Sequence, residues 1–131
     1  MADKLKLRID WSELDYFGHV NNVAFIKYIQ ASRVSYWERL GLTEQFKSEG
    51  ICPILKSISC HFIKPLFYPG EIIIHVKLDF IKNTSFGLLH QIIDSNNEIA
   101  AEAKDTMVMF DFNTQQKIMI SDDLRKRMEI L

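Results

Sequence analysis

Polar and apolar residues change their spacing twice along the chain. Lys4 to Asp10 alternates, with Leu5, Leu7 and Ile9 on one face, which is the period-two pattern of a half-buried strand. Trp11 to Asn22 breaks that pattern with Asp, Glu, Gly and Asn. From Val23 to Leu40 the spacing becomes helical. Phe25, Ile29, Tyr36 and Leu40 form a stripe that Arg33 interrupts, and Ile26, Tyr28, Val34 and Trp37 spread apolar surface round most of the cylinder. A helix this apolar needs to be enclosed, not laid on a surface. Gly41 offers it a left-handed stop.

After a short helical stretch, Thr43 to Ser48, the period returns to two. Pro53 to Ile63 places Ile54, Ile58, Cys60 and Phe62 on one side, and Tyr68-Pro69-Gly70 then turns the chain. Glu71 to Lys82 alternates Ile72, Ile74, Val76, Leu78 and Phe80, leaving Ile73 and Ile81 on the second face. Asn83-Thr84-Ser85 leads into Phe86 to Asp94, and Ser95-Asn96-Asn97 into Ile99 to Phe112. A short strand, Lys117 to Ile120, precedes a terminal helix capped by Ser121, with Asp122 and Asp123 where the helix dipole favours them. Hairpin-length connections make the later strands antiparallel neighbours. The economical packing is a single α+β domain over residues 1–131, a curled antiparallel β-sheet wrapped around one long central α-helix: the hot-dog arrangement. Ile73, Ile81, Leu89 and Ile93 on the other face point to association into a dimer or larger assembly.

Composition narrows the function. With 16 basic and 17 acidic residues the net charge is −1, which gives no electrostatic reason to expect nucleic acid or an anionic membrane as partner. The start, Met-Ala-Asp-Lys-Leu-Lys-Leu-Arg, has no apolar signal core, and no run approaches the ~18 uncharged apolar residues of a membrane span. The expectation is a cytoplasmic protein. Cys52 and Cys60 read as small hydrophobes rather than a disulfide, and Met107 to Met109 as core filling. His61, His75 and His90 fall singly on strands, so no metal site is expected. No Gly-x-Ser-x-Gly elbow and no Gly-rich phosphate loop is present.

Candidate chemistry concentrates in Asp15-Tyr16-Phe17-Gly18-His19-Val20-Asn21-Asn22. It sets a carboxylate and a glycine just before a helix start, where the first N–H groups lack partners and carry partial positive charge. Such a terminus can polarise a carbonyl and hold the oxyanion of acyl transfer, while the carboxylate acts as nucleophile or as general base on water. Thioesters suit so spare a site, because a thiol of pKa near ~8.5 departs with little help. The same spacing also describes a plain turn with capping residues.

The run Glu13 to Asn22, followed by Phe25, Tyr28 and Arg33, resembles the signature of the 4-hydroxybenzoyl-CoA thioesterase family. There the pattern reads Asp-x-Asp-x-x-Gly-His-Val-Asn-Asn, then an aromatic residue and Glu-x-x-Arg on the helix. Phe62-Ile63-Lys64-Pro65-Leu66, Gly70-Glu71 and Asn83-Thr84-Ser85-Phe86 resemble its later segments, so the likeness spans nearly the whole chain. It implies Asp15 as the catalytic carboxylate and the N–H groups around Asn22 and Val23 as oxyanion donors. Gly18, His19, Val20, Asn21, Val23 and Phe25 are the candidates to bind substrate, with packing inside the loop the equal alternative for His19. Ser85 reads either as a plain turn residue or as a contact to the substrate of a neighbouring subunit. The implied substrate is an acyl-CoA or acyl carrier protein thioester, with no metal or redox cofactor, CoA being part of the substrate. Homodimers or homotetramers are implied, with the acyl site at the subunit interface. Lys64, Lys82 and Arg33 read as solvated surface charges, with contact to the CoA phosphates as the alternative, and Phe25, Tyr28, Ile58 and Phe62 are candidates for an apolar acyl wall. Glu13 for Asp and Gln30 for Glu depart from the pattern. A binding-only module is the alternative; a hydratase on this fold uses an Asp and His pair on a differently patterned helix start, which this sequence lacks.

Overall fold

The enclosed helix is α1, Asn22–Arg39, in a computed structural model that describes residues 3–131. It starts where Asn21, in extended conformation, turns its side-chain oxygen onto the Ala24 N–H at 2.7 Å. It stops at Gly41, whose φ of +77° ends α1 before α2, Leu42–Glu49, begins. The strands are β1 (Asp3–Arg8), β2 (Ile51–Phe62), β3 (Glu71–Ile81), β4 (Ser85–Ile93), β5 (Ile99–Asp111) and the two-residue β6 (Gln116–Lys117). The short strand expected at Lys117 to Ile120 is thus earlier and shorter. A terminal helix α3, Asp122–Ile130, is capped by Ser121 as its sequence suggests. None of the described helices is long and apolar enough to cross a membrane.

The sheet is antiparallel in the order β1-β3-β4-β5-β2, with β6 beside β5. It curls round α1, the hot-dog arrangement. One face meets the helix in two apolar clusters. Phe25, Tyr28 and Ile29 pack with Ile72, Ile74 and Ile92, whereas Tyr36 and Leu40 pack with Phe86, Leu88 and Met107. Burial of an isoleucine as complete as Ile29, Ile74 or Ile92 is worth about 1.5–3 kcal/mol. Between the clusters lies a polar layer: Ser32 and Arg33 on α1, His90 on β4 and Asp105 on β5.

Two bulges correct the expected faces. Leu55 pairs with Met107 and Ser57 with Thr106, so Lys56 is an extra residue in β2. Ile54 therefore lies on the face opposite Ile58, Cys60 and Phe62, not with them. In β3, Leu78 pairs with Leu88 and Phe80 with Gly87, so Asp79 is extra. Phe80 swings to the outer face and Ile81, expected there, packs into the core. The Phe80 ring fills the space above Gly87, where an added Cβ would meet it at 2.2 Å.

Candidate active site

Residues 13–21 form a small hairpin ahead of α1. Its legs are joined by the Asn21 N–H donating to the Glu13 carbonyl at 2.9 Å and the Asp15 N–H to the His19 carbonyl at 2.6 Å. At the tip, Asp15 Oδ1 accepts from the Phe17 and His19 N–H groups at 2.9 and 3.0 Å. Gly18 takes φ +83°, which a residue without Cβ adopts at no steric cost. The turn geometry is therefore present, and one carboxylate oxygen builds it. Asp15 is exposed, and its Oδ2 receives no hydrogen bond from the described residues. The loop is anchored by the Val20 N–H on the Leu66 carbonyl at 2.9 Å and by His19, whose ring meets Phe67 edge-on at 5.1 Å.

The first turn of α1 follows. Asn21 spends both its side-chain oxygen and its carbonyl on the Ala24 N–H. The Asn22 and Val23 N–H groups have no partner among the described residues, so the positive end of an 18-residue helix dipole is open there. Beside it lies a cavity of about 310 Å³ lined by Val20, Asn22, Phe25, Phe62, Ile63 and the Lys64-Pro65 step. Phe25 and Phe62 meet edge-on at 5.2 Å and form its apolar wall. Tyr28 and Ile58, expected in that wall, do not line it, and neither does Asp15. A larger concavity, about 790 Å³, lies on the outer face of the sheet among His61, His75, Lys77, Leu89, Gln91 and Lys104, away from the Asp15 loop.

The remaining candidates separate cleanly. Ser85 pairs with Val108 on β5, whereas Phe62 at the cavity pairs with Ala101. Seven residues of strand put Ser85 roughly 23 Å away within one chain, so only another copy could bring a Ser85 to the site. Arg33 is not a surface cation: its Nε donates to buried Asp105 Oδ2 at 2.8 Å. Lys64 is held by Asp94 at 2.7 Å and Glu98 at 2.9 Å; the hydrogen bond to Asp94, then that to Glu98, raises its pKa. Lys82 sits over the Phe80 ring, 5.2 Å from its centroid.

One residue that the sequence marked only as a departure from the pattern is a functional candidate in the structure. Glu13, only 8% exposed, accepts from the Tyr28 hydroxyl at 2.7 Å, the Asp10 N–H at 2.9 Å and Lys27 Nζ at 3.1 Å. Burial pushes its carboxyl up, but the bonds from Tyr28, Asp10 and Lys27 together hold it below the ordinary glutamate value. Burial, then the bond to Glu13, raises the Tyr28 phenol above its usual range. The Asp10-x-x-Glu13 spacing is a capping-box signature and was the available signal.

Comparison with known proteins agrees with this architecture. The profile of the thioesterase-like superfamily matches residues 9–128. The long-chain acyl-CoA thioesterase FadM of Escherichia coli (strain K12) is 23% identical over 129 residues, 95% of this chain and 95% of that one. Among solved structures, a predicted thioesterase from Bacillus stearothermophilus superposes with a TM-score of 0.90 at 21% identity, over 99% of this chain and 96% of that one. The DHNA-CoA thioesterase of Staphylococcus aureus gives 0.88 at 15% identity, over 98% and 89%. At such identities the superpositions establish the fold.

Proposed function

The chain belongs to the thioesterase-like superfamily, and from that premise we propose that it hydrolyses an acyl-CoA to free acid and CoA. The observation that carries the reading is an open carboxylate oxygen on Asp15 shortly before a helix start with two unclaimed N–H groups, at Asn22 and Val23. Asp15 Oδ2 either attacks the thioester carbon or takes a proton from the attacking water. The helix N–H groups hold the oxyanion, and the C–S bond breaks as the thiolate leaves. In the first route water then hydrolyses the acyl–Asp15 anhydride to release the acid; in the second the proton taken from water passes to the departing thiolate. This route calls for no metal or redox cofactor.

The Phe25–Phe62 wall suits an apolar acyl group. Resemblance to the 4-hydroxybenzoyl-CoA family favours an aromatic one, and the FadM likeness a long aliphatic one. CoA and acyl carrier protein remain alternative carriers. The reading includes a homodimer or homotetramer, because the cavity of one chain lacks Asp15. Tyr16 and Phe17, which follow Asp15 in the turn, are 95% and 79% exposed, and the outer edge of β2 has no strand partner among the described residues. A second copy would cover both. One observation favours a binding-only module: Asp15 Oδ1 already has a structural task.

The test is thiol release across acyl-CoAs from acetyl to palmitoyl, benzoyl types included. Asp15→Asn keeps an oxygen for the turn and removes the charge, so the loop persists. A kcat loss of at least ~100-fold is expected. Near-normal turnover by the variant overturns the catalytic assignment, and tight acyl-CoA binding without turnover by the wild type selects the binding module.

A further inference from the structure

We infer that Glu13 and Tyr28 act together as positioning residues, fixing the Asp15 loop against the start of α1 without touching substrate. The inference rests on the reading of Asp15 as the reacting carboxylate. Its geometry is independent of that reading. Three segments converge on Glu13. Its side chain binds Asp10, which begins the 3₁₀ turn Trp11–Glu13, and Tyr28, in the second turn of α1. Its backbone carbonyl takes the N–H of Asn21, the residue that caps α1. Asp15 follows two residues later on the same hairpin leg.

The separation between the Asp15 carboxylate and the Asn22 and Val23 N–H groups is therefore set through one side chain and one carbonyl of Glu13. The Tyr28–Glu13 bond is buried, short and charge-assisted, the kind that holds geometry most firmly. Lys27 reinforces it from the exposed side and is the weaker support. A group that merely capped the 3₁₀ turn would need only the Asp10 bond. The additional reach to α1 is what couples loop and helix. Misplacing a reacting group by about 1 Å can cost up to ~100-fold in rate, so loss of one such restraint has a measurable kinetic effect.

Tyr28→Phe removes the hydroxyl and keeps the ring packed. With an acyl-CoA that the wild type turns over, we expect a kcat about tenfold lower and a KM within about twofold. Glu13→Ala should lose at least as much. The double variant should lose no more than Glu13→Ala alone, because both changes break one unit. Glu13→Gln keeps an acceptor for Tyr28 and should recover most of the rate. An unchanged kcat in Tyr28→Phe, or losses that multiply, overturns the inference. If Asp15→Asn is fully active the catalytic reading has failed instead; if Asp15→Asn is inactive while Tyr28→Phe is normal, only this inference has. A second measurement needs no substrate. Amide exchange at Phe17 and His19, both held by Asp15, should quicken about tenfold in Tyr28→Phe while β4 is unaffected, and equal exchange there also overturns it.

Discussion

Asp15 and Asp105 are both carboxylates with a histidine nearby, and their circumstances are opposite. Asp105 faces α1 from β5 at 2% exposure, with Arg33 Nε and His90 Nε2 on one oxygen at 2.8 and 2.9 Å. Ser32 completes the set at 2.9 Å from His90 Nδ1. Serine, histidine and aspartate in one hydrogen-bonded chain have the composition of a hydrolytic triad, yet the His90 and Asp105 side chains are wholly inaccessible. Asp15 has only its own turn around it and faces solvent. Residue types that look catalytic are sealed by their neighbours, and the plain loop acid is the one a substrate can reach. A buried ion pair is itself weak ground for stability, since its desolvation offsets the attraction; removing one half is what costs most.

That contrast can be broken from either side. The largest effect belongs to Asp105→Ala, which strands the Arg33 guanidinium in the core. We expect a stability loss of about 3–5 kcal/mol by denaturant melting, and a loss below ~1 kcal/mol would show that Arg33 finds another partner or solvent once Asp105 is gone. Asp15→Asn should invert the pattern, with stability within about 0.5 kcal/mol of wild type and the ~100-fold rate loss already described, equivalent to about 2.7 kcal/mol of barrier. Gly18→Ala comes next. An added Cβ meets nothing within 4 Å, so only the left-handed φ is penalised, by about 1–2 kcal/mol. Melts should register that penalty together with slower turnover; wild-type values for both would show that the turn does not hold Asp15. The smallest effect is on pH. Glu13 has its folded-state pKa below the ordinary 4.5, so its contribution is complete at neutral pH. It fades as pH falls below that value and is lost once the folded-state value is passed. In Tyr28→Phe this acid-side decline should shrink, as acid titrations of stability would record.

Much of this fold was legible because period and punctuation agree. Asn21 and Gly41 bracket α1, and Ser121 starts α3, for reasons of local hydrogen bonding that a sequence exposes. The bulges at Lys56 and Asp79 were not legible, since an extra residue shifts alternation without announcing itself, and Ile54, Phe80 and Ile81 were misplaced in consequence. The lone Gly87 within a strand was a usable sign of close approach on that face. Arg33 looked like an interruption of an apolar stripe because its partner, Asp105, lies 72 residues away. The Asp15 loop stood out through its motif. Its cavity was legible in part: Phe25 and Phe62 were expected in the wall and line it, whereas Tyr28 and Ile58 do not, and Ile63 and the Lys64-Pro65 step arrive from beyond the far end of β2. The hold of Glu13 on Tyr28 was not legible, since it crosses from loop to helix.

The strand order has a consequence for synthesis on the ribosome. β2 is the first of the long strands to emerge, yet its partner in the sheet is β5. Roughly forty further residues must be translated after Phe62 before β5 exists, a delay of about 2–8 s at ordinary elongation rates. Through that interval Ile51 to Phe62 has no strand to pair with, and α1 has no closed sheet to lie in. The nascent chain therefore passes through a stage in which its most association-prone segment waits longest, the point at which a chaperone or a neighbouring nascent copy would find it.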